Sequence, residues 1–139
     1  MVLHHFGIEA EGKRAVVIGR SLVVGKPVAN MLQNENATVT VCHSKTQNME
    51  KITKDADIVI GATGTPKKFG AKYFTKGQVV IDAGINWDPI AKKLCGDVNF
   101  DEAEPIVDAI TPVPGGVGSV TSAILIQHTL RGRRGAFSV

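Results

Sequence analysis

The stretch VVIGRSLVVGKP, residues 16–27, passes from an apolar β-like run into Gly19-Arg20-Ser21 and meets a second glycine, Gly25, six residues after the first. These residue types suit an anion. Gly19 can turn the chain at backbone angles that other residues resist, and Gly25 lets a helix N-terminus approach a ligand closely. The N–H groups and dipole at such a terminus favour an anion such as a pyrophosphate. Arg20 and Ser21 add charge-assisted and hydroxyl donors. The spacing is G-x-x-x-x-x-G, not the G-x-G-x-x-G of the usual dinucleotide fingerprint. Nor is it a P-loop, because Pro27 follows Lys26 where Ser or Thr would hold magnesium. Taken alone, the turn also reads as a tight βα connection with no ligand.

A second cluster narrows the choice. His43, Ser44 and Lys45 lie 18 to 20 residues beyond Gly25, in CHSKT. An NAD enzyme usually carries a carboxylate about 20 residues past its fingerprint, to bind the ribose hydroxyls; this loop has none. An imidazole, a hydroxyl and an ammonium, with Arg20 across the gap, suit a ribose bearing a 2′-phosphate. Hydrogen bonds to a charged group are worth about 1.5–3 kcal/mol each, so two or three would favour NADP over NAD strongly. A solvated polar loop is the plain alternative. Two further strand ends are marked by small residues, GATGTP (61–66, with Thr63 and Gly64) and DAGIN (82–86), which leave room for a ribose and a nicotinamide. TPVPGGVGSVT (111–121) is a rigid, donor-rich loop into a helix, able to border a flat ring.

Positioning these groups requires a sheet with aligned ends. RAVVI (14–18), ATVTVC (37–42), DIVIGA (57–62) and QVVIDAG (78–84) are short Val- and Ile-rich runs, apolar nearly throughout, as in strands buried on both faces of a parallel sheet. Between the first two, KPVANMLQNEN puts Val28, Met31 and Leu32 on one helical face, with Pro27 in the permitted first turn and Asn34 and Asn36 as stop signals. TQNMEKITKDA places Met49, Ile52 and Ala56 at helical spacing, and GTPKKFGAKYFTKG allows a turn and a short helix. Near the C-terminus, Val120, Ala123 and Ile124 share a face of a terminal helix, with Ser119 and Thr121 near its start. The alternation predicts βαβ units and a single α/β domain, a doubly wound, Rossmann-like parallel sheet. MVLHHFGIEAEGK reads as the last turns of a helix closed by Gly7 and then a turn. The expected divisions are 1–13 for the end of a connecting helix, 14–132 for the nucleotide-binding domain and 133–139 for a tail.

The 139 residues, 43% hydrophobic and 21% charged, suit one globular domain. No window reaches the roughly 18 apolar residues of a membrane span, and the N-terminus lacks the layout of a secretory signal. Cys42 and Cys95, two and far apart, imply a reducing compartment and a cytoplasmic protein rather than a disulfide framework. The RGRR run at 131–134 reads as a solvated end, not a nucleic-acid patch, so neither nucleic acid nor membrane is expected as a partner. His4, His5 and His128 lack metal-ligand spacing and read as surface or helix residues. Cys42 and Cys95 read as core or strand-end residues, and Asp82 as the cap of the turn before AGIN.

GKRAVVIGRSLVVGKPVANML, ATVTVCHSKT, ADIVIGATGTP, VVIDAGIN, LCGDVNF and ITPVPGGVGSVT together resemble the bifunctional methylenetetrahydrofolate dehydrogenase/methenyltetrahydrofolate cyclohydrolase family, in unbroken order from residue 7 to about 130. The resemblance implies that Gly19, Arg20, Ser21 and Gly25 hold NADP, that Ser44 with His43 meets its 2′-phosphate, and that Thr63, Gly64 and Ile85 line its nicotinamide side. It also implies that Pro114, Gly115, Gly116, Val117 and Gly118 border the folate, with Thr121 kept for the cofactor. The family often reads G-P-x-T after the double glycine; here Gly118-Ser119-Val120-Thr121 stands instead. The family's catalytic lysine belongs to a Tyr-x-x-x-Lys motif in a preceding domain. The one tyrosine here is Tyr73, followed at position 77 by Gly77, so no catalytic residue is assigned to this chain. The resemblance thus implies the nucleotide-binding domain of an enzyme of one-carbon metabolism and purine biosynthesis, homodimeric, meeting its folate substrate only with the N-terminal domain. A non-catalytic NADP-binding module that regulates a partner is the alternative. A dehydrogenase of shikimate or amino-acid type would need a Lys–Asp pair that no spacing proposes.

Overall fold

Val and Ile fill the four runs expected as strands, and each run forms one. The computed structural model describes the backbone of residues 2–135 and the side chains of residues 2–127. In chain order the elements are α1 (Val2–His5), β1 (Arg14–Ile18), α2 (Gly25–Asn34), β2 (Thr38–Cys42), α3 (Met49–Lys54), β3 (Ile58–Gly61), β4 (Val79–Asp82), β5 (Asn86–Asp88), β6 (Lys93–Cys95), α4 (Phe100–Ala103), β7 (Ala109–Ile110) and α5 (Val117–Gly135), with a 3-10 turn at Ala71–Tyr73. Five strands make a parallel sheet in the order β2-β1-β3-β4-β7, and β5 and β6 pair separately as an antiparallel hairpin.

Side chains alternate across the sheet. Val16, Ile18, Val59 and Val80 join Phe69, Tyr73 and Phe74 beneath α3 and α4. Ala15, Val17, Ile58, Ile60 and Ile81 join Leu3, Ala29 and Leu32 beneath α1 and α2. With Val17 and Val59 at 0% exposure, each such aliphatic side chain contributes about 1.5–3 kcal/mol. Helices therefore cover both faces, as the sequence predicts.

Three expectations are corrected. β2 is not buried on both faces: Thr38, Thr40 and Val41 are exposed, because it is the edge strand of the sheet. On α2 the buried residues are Gly25, Ala29 and Leu32, while Met31 is 62% exposed. The helix starts at Gly25, so its inward stripe runs 25, 29, 32, and Met31 lies about 100° from Leu32, off that stripe. On α5, Val120 and Ile124 are half-buried, but Ala123 is exposed. The β5–β6 hairpin, turned through Lys92 at φ +51°, was not expected from the sequence.

A buried amide closes the lower face. Gln78, 1% exposed, donates from Nε2 to the carbonyls of Thr53, Lys54 and Ala56 at 2.6, 3.2 and 2.8 Å, and accepts from the Thr75 amide at 2.9 Å. It thereby satisfies the last two carbonyls of α3, which have no intrahelical partner, and that of Ala56 just beyond the helix. Gln78→Leu keeps the volume and removes the bonds, leaving buried carbonyls unmet. The expected loss is about 1–3 kcal/mol, read as a lower urea midpoint at unchanged slope.

Candidate functional site

The strand register brings the candidate residues to one edge. Ile18 lies opposite both Cys42 and Gly61, and Gly61 opposite Asp82. The ladder continues one residue further: the amides of Gly19, Ala62 and Ala83 donate to the carbonyls of Cys42, Ile18 and Gly61, each at 2.8 Å. Gly19–Ser21, His43–Ser44, Thr63–Gly64 and Ile85 thus leave the sheet in one row at its carboxyl edge. The chain lays β2 to one side of β1 and then crosses to β3 on the other, so the switch in strand order falls between β1 and β3, where α/β sheets bind ligands.

At that switch the backbone is packed as tightly as glycine allows. Gly19 has φ +123°, and a Cβ on it would land on the Ala62 carbonyl oxygen. A Cβ on Gly25 would land on the Gly19 carbonyl oxygen. Ser21 holds the start of α2: its Oγ accepts from the amides of Val24 and Gly25 at 3.1 and 3.2 Å, and its carbonyl accepts from Lys26 at 2.9 Å. A hydroxyl that accepts twice keeps its own proton to donate. Arg20 sits exposed at the tip of the turn. Pro27, third in the helix, takes a position where its missing N–H costs no bond.

The β2 end is a closed turn. The His43 amide donates to Thr46 Oγ1 at 2.9 Å, the Thr46 amide to the His43 carbonyl at 2.9 Å, and the Lys45 amide to His43 Nδ1 at 3.2 Å. The side chains of Ser44 and Lys45 are exposed, and residues 43–48 hold no carboxylate. Cys42 beneath them is buried, which pushes its thiol above the ordinary value. It is a core residue, as read from the sequence.

Two buried aspartates hold the β3 and β4 ends. Asp82 accepts at Oδ1 from the amides of Gly84 and Asp97 (2.9 and 3.1 Å) and at Oδ2 from Val98 (2.9 Å), so it caps its turn as expected. Burial raises its pKa, opposed by those three donors. Asp97, 0% exposed, accepts from the amides of Thr63, Gly64 and Thr65 at 2.5, 3.1 and 3.1 Å, from the Thr63 hydroxyl at 3.0 Å and from Asn86 Nδ2 at 2.9 Å. The Thr63 hydroxyl is therefore committed to Asp97. Neither Asp97 nor Asn86 was singled out from the sequence; an acid directly after a glycine in LCGDVNF was the available signal.

The remaining candidates face a different space. Pro114 follows a cis peptide bond, Gly115 has φ +93°, and the Thr121 hydroxyl donates back to the Val117 carbonyl at 2.9 Å. Ile85, Gly116 and Thr121 line a cleft of about 840 Å³ whose other wall is Val2, Met31 and Glu35 of α1, α2 and its end. Gly19–Ser21, His43–Ser44 and Thr63–Gly64 lie outside that cleft, further along the same edge. His4 Nε2 meets Glu35 at 2.9 Å beside it.

Below the edge, Lys67 Nζ meets Asp88 Oδ2 at 2.6 Å, and Asp88 Oδ1 accepts from the amides of Ile90 and Ala91 at 2.9 and 3.1 Å. Lys67 and these donors hold the Asp88 carboxyl down to about 2. A depressed carboxylate stabilises the fold above its unfolded pKa, about 3.9, and that contribution disappears as pH falls through the folded value. The stability difference between the wild type and Asp88→Asn should be constant above about pH 5 and close between about pH 4 and 2, followed by urea unfolding at each pH.

The comparisons with known proteins agree with this geometry. Residues 1–136 match the family model described as "Tetrahydrofolate dehydrogenase/cyclohydrolase, NAD(P)-binding domain". Bifunctional protein FolD of Carboxydothermus hydrogenoformans is 58% identical over 131 residues, 94% of this chain and 46% of its own length. The crystal structure of the bifunctional FolD enzyme from Campylobacter jejuni superposes with a TM-score of 0.93 at 41% identity, over 98% of this chain and 48% of that one. The Trypanosoma brucei enzyme, solved with NADP cofactor and an inhibitor, gives 0.85 at 44% identity over 93% and 46%. This chain spans about half the length of the curated relatives it matches. Sequence, sheet order and carboxyl-edge geometry agree: the chain belongs to the family of NAD(P)-binding domains of tetrahydrofolate dehydrogenase/cyclohydrolases.

Proposed function

We propose that this chain binds NADP along the carboxyl edge of the sheet and is the cofactor half of a methylenetetrahydrofolate dehydrogenase/methenyltetrahydrofolate cyclohydrolase. The observation that carries the reading is the β1–α2 turn. Two glycines, each of which would collide with backbone if given a Cβ, bring the start of α2 against the switch point, where an anion is favoured. The Trypanosoma brucei relative, at 44% identity, is solved with NADP.

Gly19, Ser21 and Gly25 would hold the pyrophosphate, and Arg20, His43 and Ser44 the 2′-phosphate, with Lys45 exposed beside them. Thr63 and Gly64 support the ribose side, Ile85 and Thr121 the nicotinamide side, and 114–118 the folate border. Bound NADP supplies the hydride acceptor. Everything else that this chain contributes is binding and orientation, since it carries no Tyr-x-x-x-Lys. The lysine and the pterin-holding aspartate belong in this reading to a companion N-terminal domain, and with it the protein would supply one-carbon units, including those for purine biosynthesis. Residues 14–132 form the nucleotide-binding unit of that scheme. A homodimer is supported by β2, an edge strand with Thr38, Thr40 and Val41 exposed. Among the described residues no helix is long and apolar enough to cross a membrane; with two free, buried cysteines a cytoplasmic enzyme without a nucleic-acid partner is proposed.

Calorimetric titration of the chain with NADP and NAD tests the reading. NADP should bind more tightly by tenfold or more, roughly 1.4 kcal/mol, and Arg20→Ala should erase most of that preference. Equal affinity for both nucleotides, or a preference untouched in Arg20→Ala, would overturn the 2′-phosphate assignment. Dehydrogenase turnover by the chain alone would overturn the division of labour.

A further inference from the structure

Three successive amides, those of Thr63, Gly64 and Thr65, converge where β3 ends, with Gly64 at φ +72°. Consecutive amides arranged in a turn make a concavity that binds anions. Here the protein supplies the anion itself. Asp97 reaches the three amides from 32 to 34 residues away and is 0% exposed. The Thr63 hydroxyl and Asn86 Nδ2 complete five donors around its two oxygens. Three backbone amides and Asn86 Nδ2 can only donate, and the Thr63 hydroxyl adds a fifth contact, so the surroundings of Asp97 are built to be accepted from.

The same carboxylate joins two strand ends. Its Oδ2 holds Thr63 and Gly64 after β3, and its Oδ1 holds Thr65 and, through Asn86, the segment that follows Ile85. A Cβ on Gly84 would land on Asp97 Oδ1, so the backbone just before Ile85 rests directly on it. The Asp97 amide donates in turn to Asp82 at the end of β4.

We propose that Asp97 is a positioning residue for the nicotinamide-side half of the dinucleotide. It fills the amide concavity at β3, so that a phosphate is accepted at the β1–α2 turn and not there, and it fixes the β3 and β4 ends at one spacing. The proposal rests on the NADP reading above, which gives the β1 and β2 ends to the pyrophosphate and 2′-phosphate and the β3 and β4 ends to the other half. Asp97 is fully buried and acts through the loops it holds.

The test compares two probes on the chain: NADP, and adenosine 2′,5′-bisphosphate, which carries the 2′-phosphate half and no nicotinamide. Asp97→Asn keeps the volume but turns a donor toward donors. It should weaken NADP by tenfold or more while changing adenosine 2′,5′-bisphosphate by less than twofold, and the amide resonances of 63–65 and 84–86 should shift. Asn86→Ala and Thr63→Val each remove one donor and should move NADP in the same direction by a smaller factor. They decide the matter if Asp97→Asn does not fold. Equal weakening of both probes would show a fold-wide role, and unchanged NADP affinity despite shifted amides would show a loop the cofactor does not use; either overturns the proposal. Failure of the underlying reading has its own signature, a wild type that binds neither probe.

Discussion

The structure depends on the approach of one backbone to another at the start of α2. Gly25 sits against the Gly19 carbonyl, and Gly19 against the Ala62 carbonyl, both closer than any Cβ permits. That contact sets the height and direction of α2, which then lays Ala29 and Leu32 on the face that Ala15, Val17 and Ile60 present. It also leaves the N-terminus of a ten-residue helix aimed along the carboxyl edge. Packing and binding share one constraint there, because the small residues that let the layers close are the ones that let an anion come near the amides.

Charge is distributed along that edge with a consistent sense. The segments that follow β1 and β2, 19–26 and 43–48, carry Arg20, His43 and Lys45 and contain no carboxylate. The β3 and β4 ends carry two buried carboxylates, Asp82 and Asp97, whose oxygens are turned inward onto backbone amides. The edge is therefore open to anions at one end and internally neutralised at the other. A dinucleotide with its phosphates toward the first end and its uncharged or cationic ring toward the second matches this polarity.

Much of this was readable from the chain and some was not. β1 to β4 came from local composition, since runs such as RAVVI and DIVIGA have few other ways to bury Val and Ile. The Gly19–Gly25 turn was legible because glycine marks a backbone need directly. Asp82 was legible as a cap for the same local reason: the turn it closes follows within two residues. Asp97 was not, because four of its five donors lie on Thr63–Thr65, 32 to 34 residues upstream, and those contacts exist only once the fold brings the end of β6 to the end of β3. Met31 was misplaced because an i, i+3, i+4 pattern identifies a helix but not the centre of its buried stripe, which the Gly25 contact sets. The β5–β6 hairpin has three-residue strands, too short to give a period.

The most direct measurement is a map of backbone amide resonances of the chain as NADP is added. The largest shifts are expected at 19–26 and 43–46, with a second group at 63–65 and 83–85. Shifts confined to the cleft wall at Val2–His4 and Met31–Glu35, with 19–26 silent, would contradict this expectation and move the ligand into the cleft between that wall and the 112–121 loop.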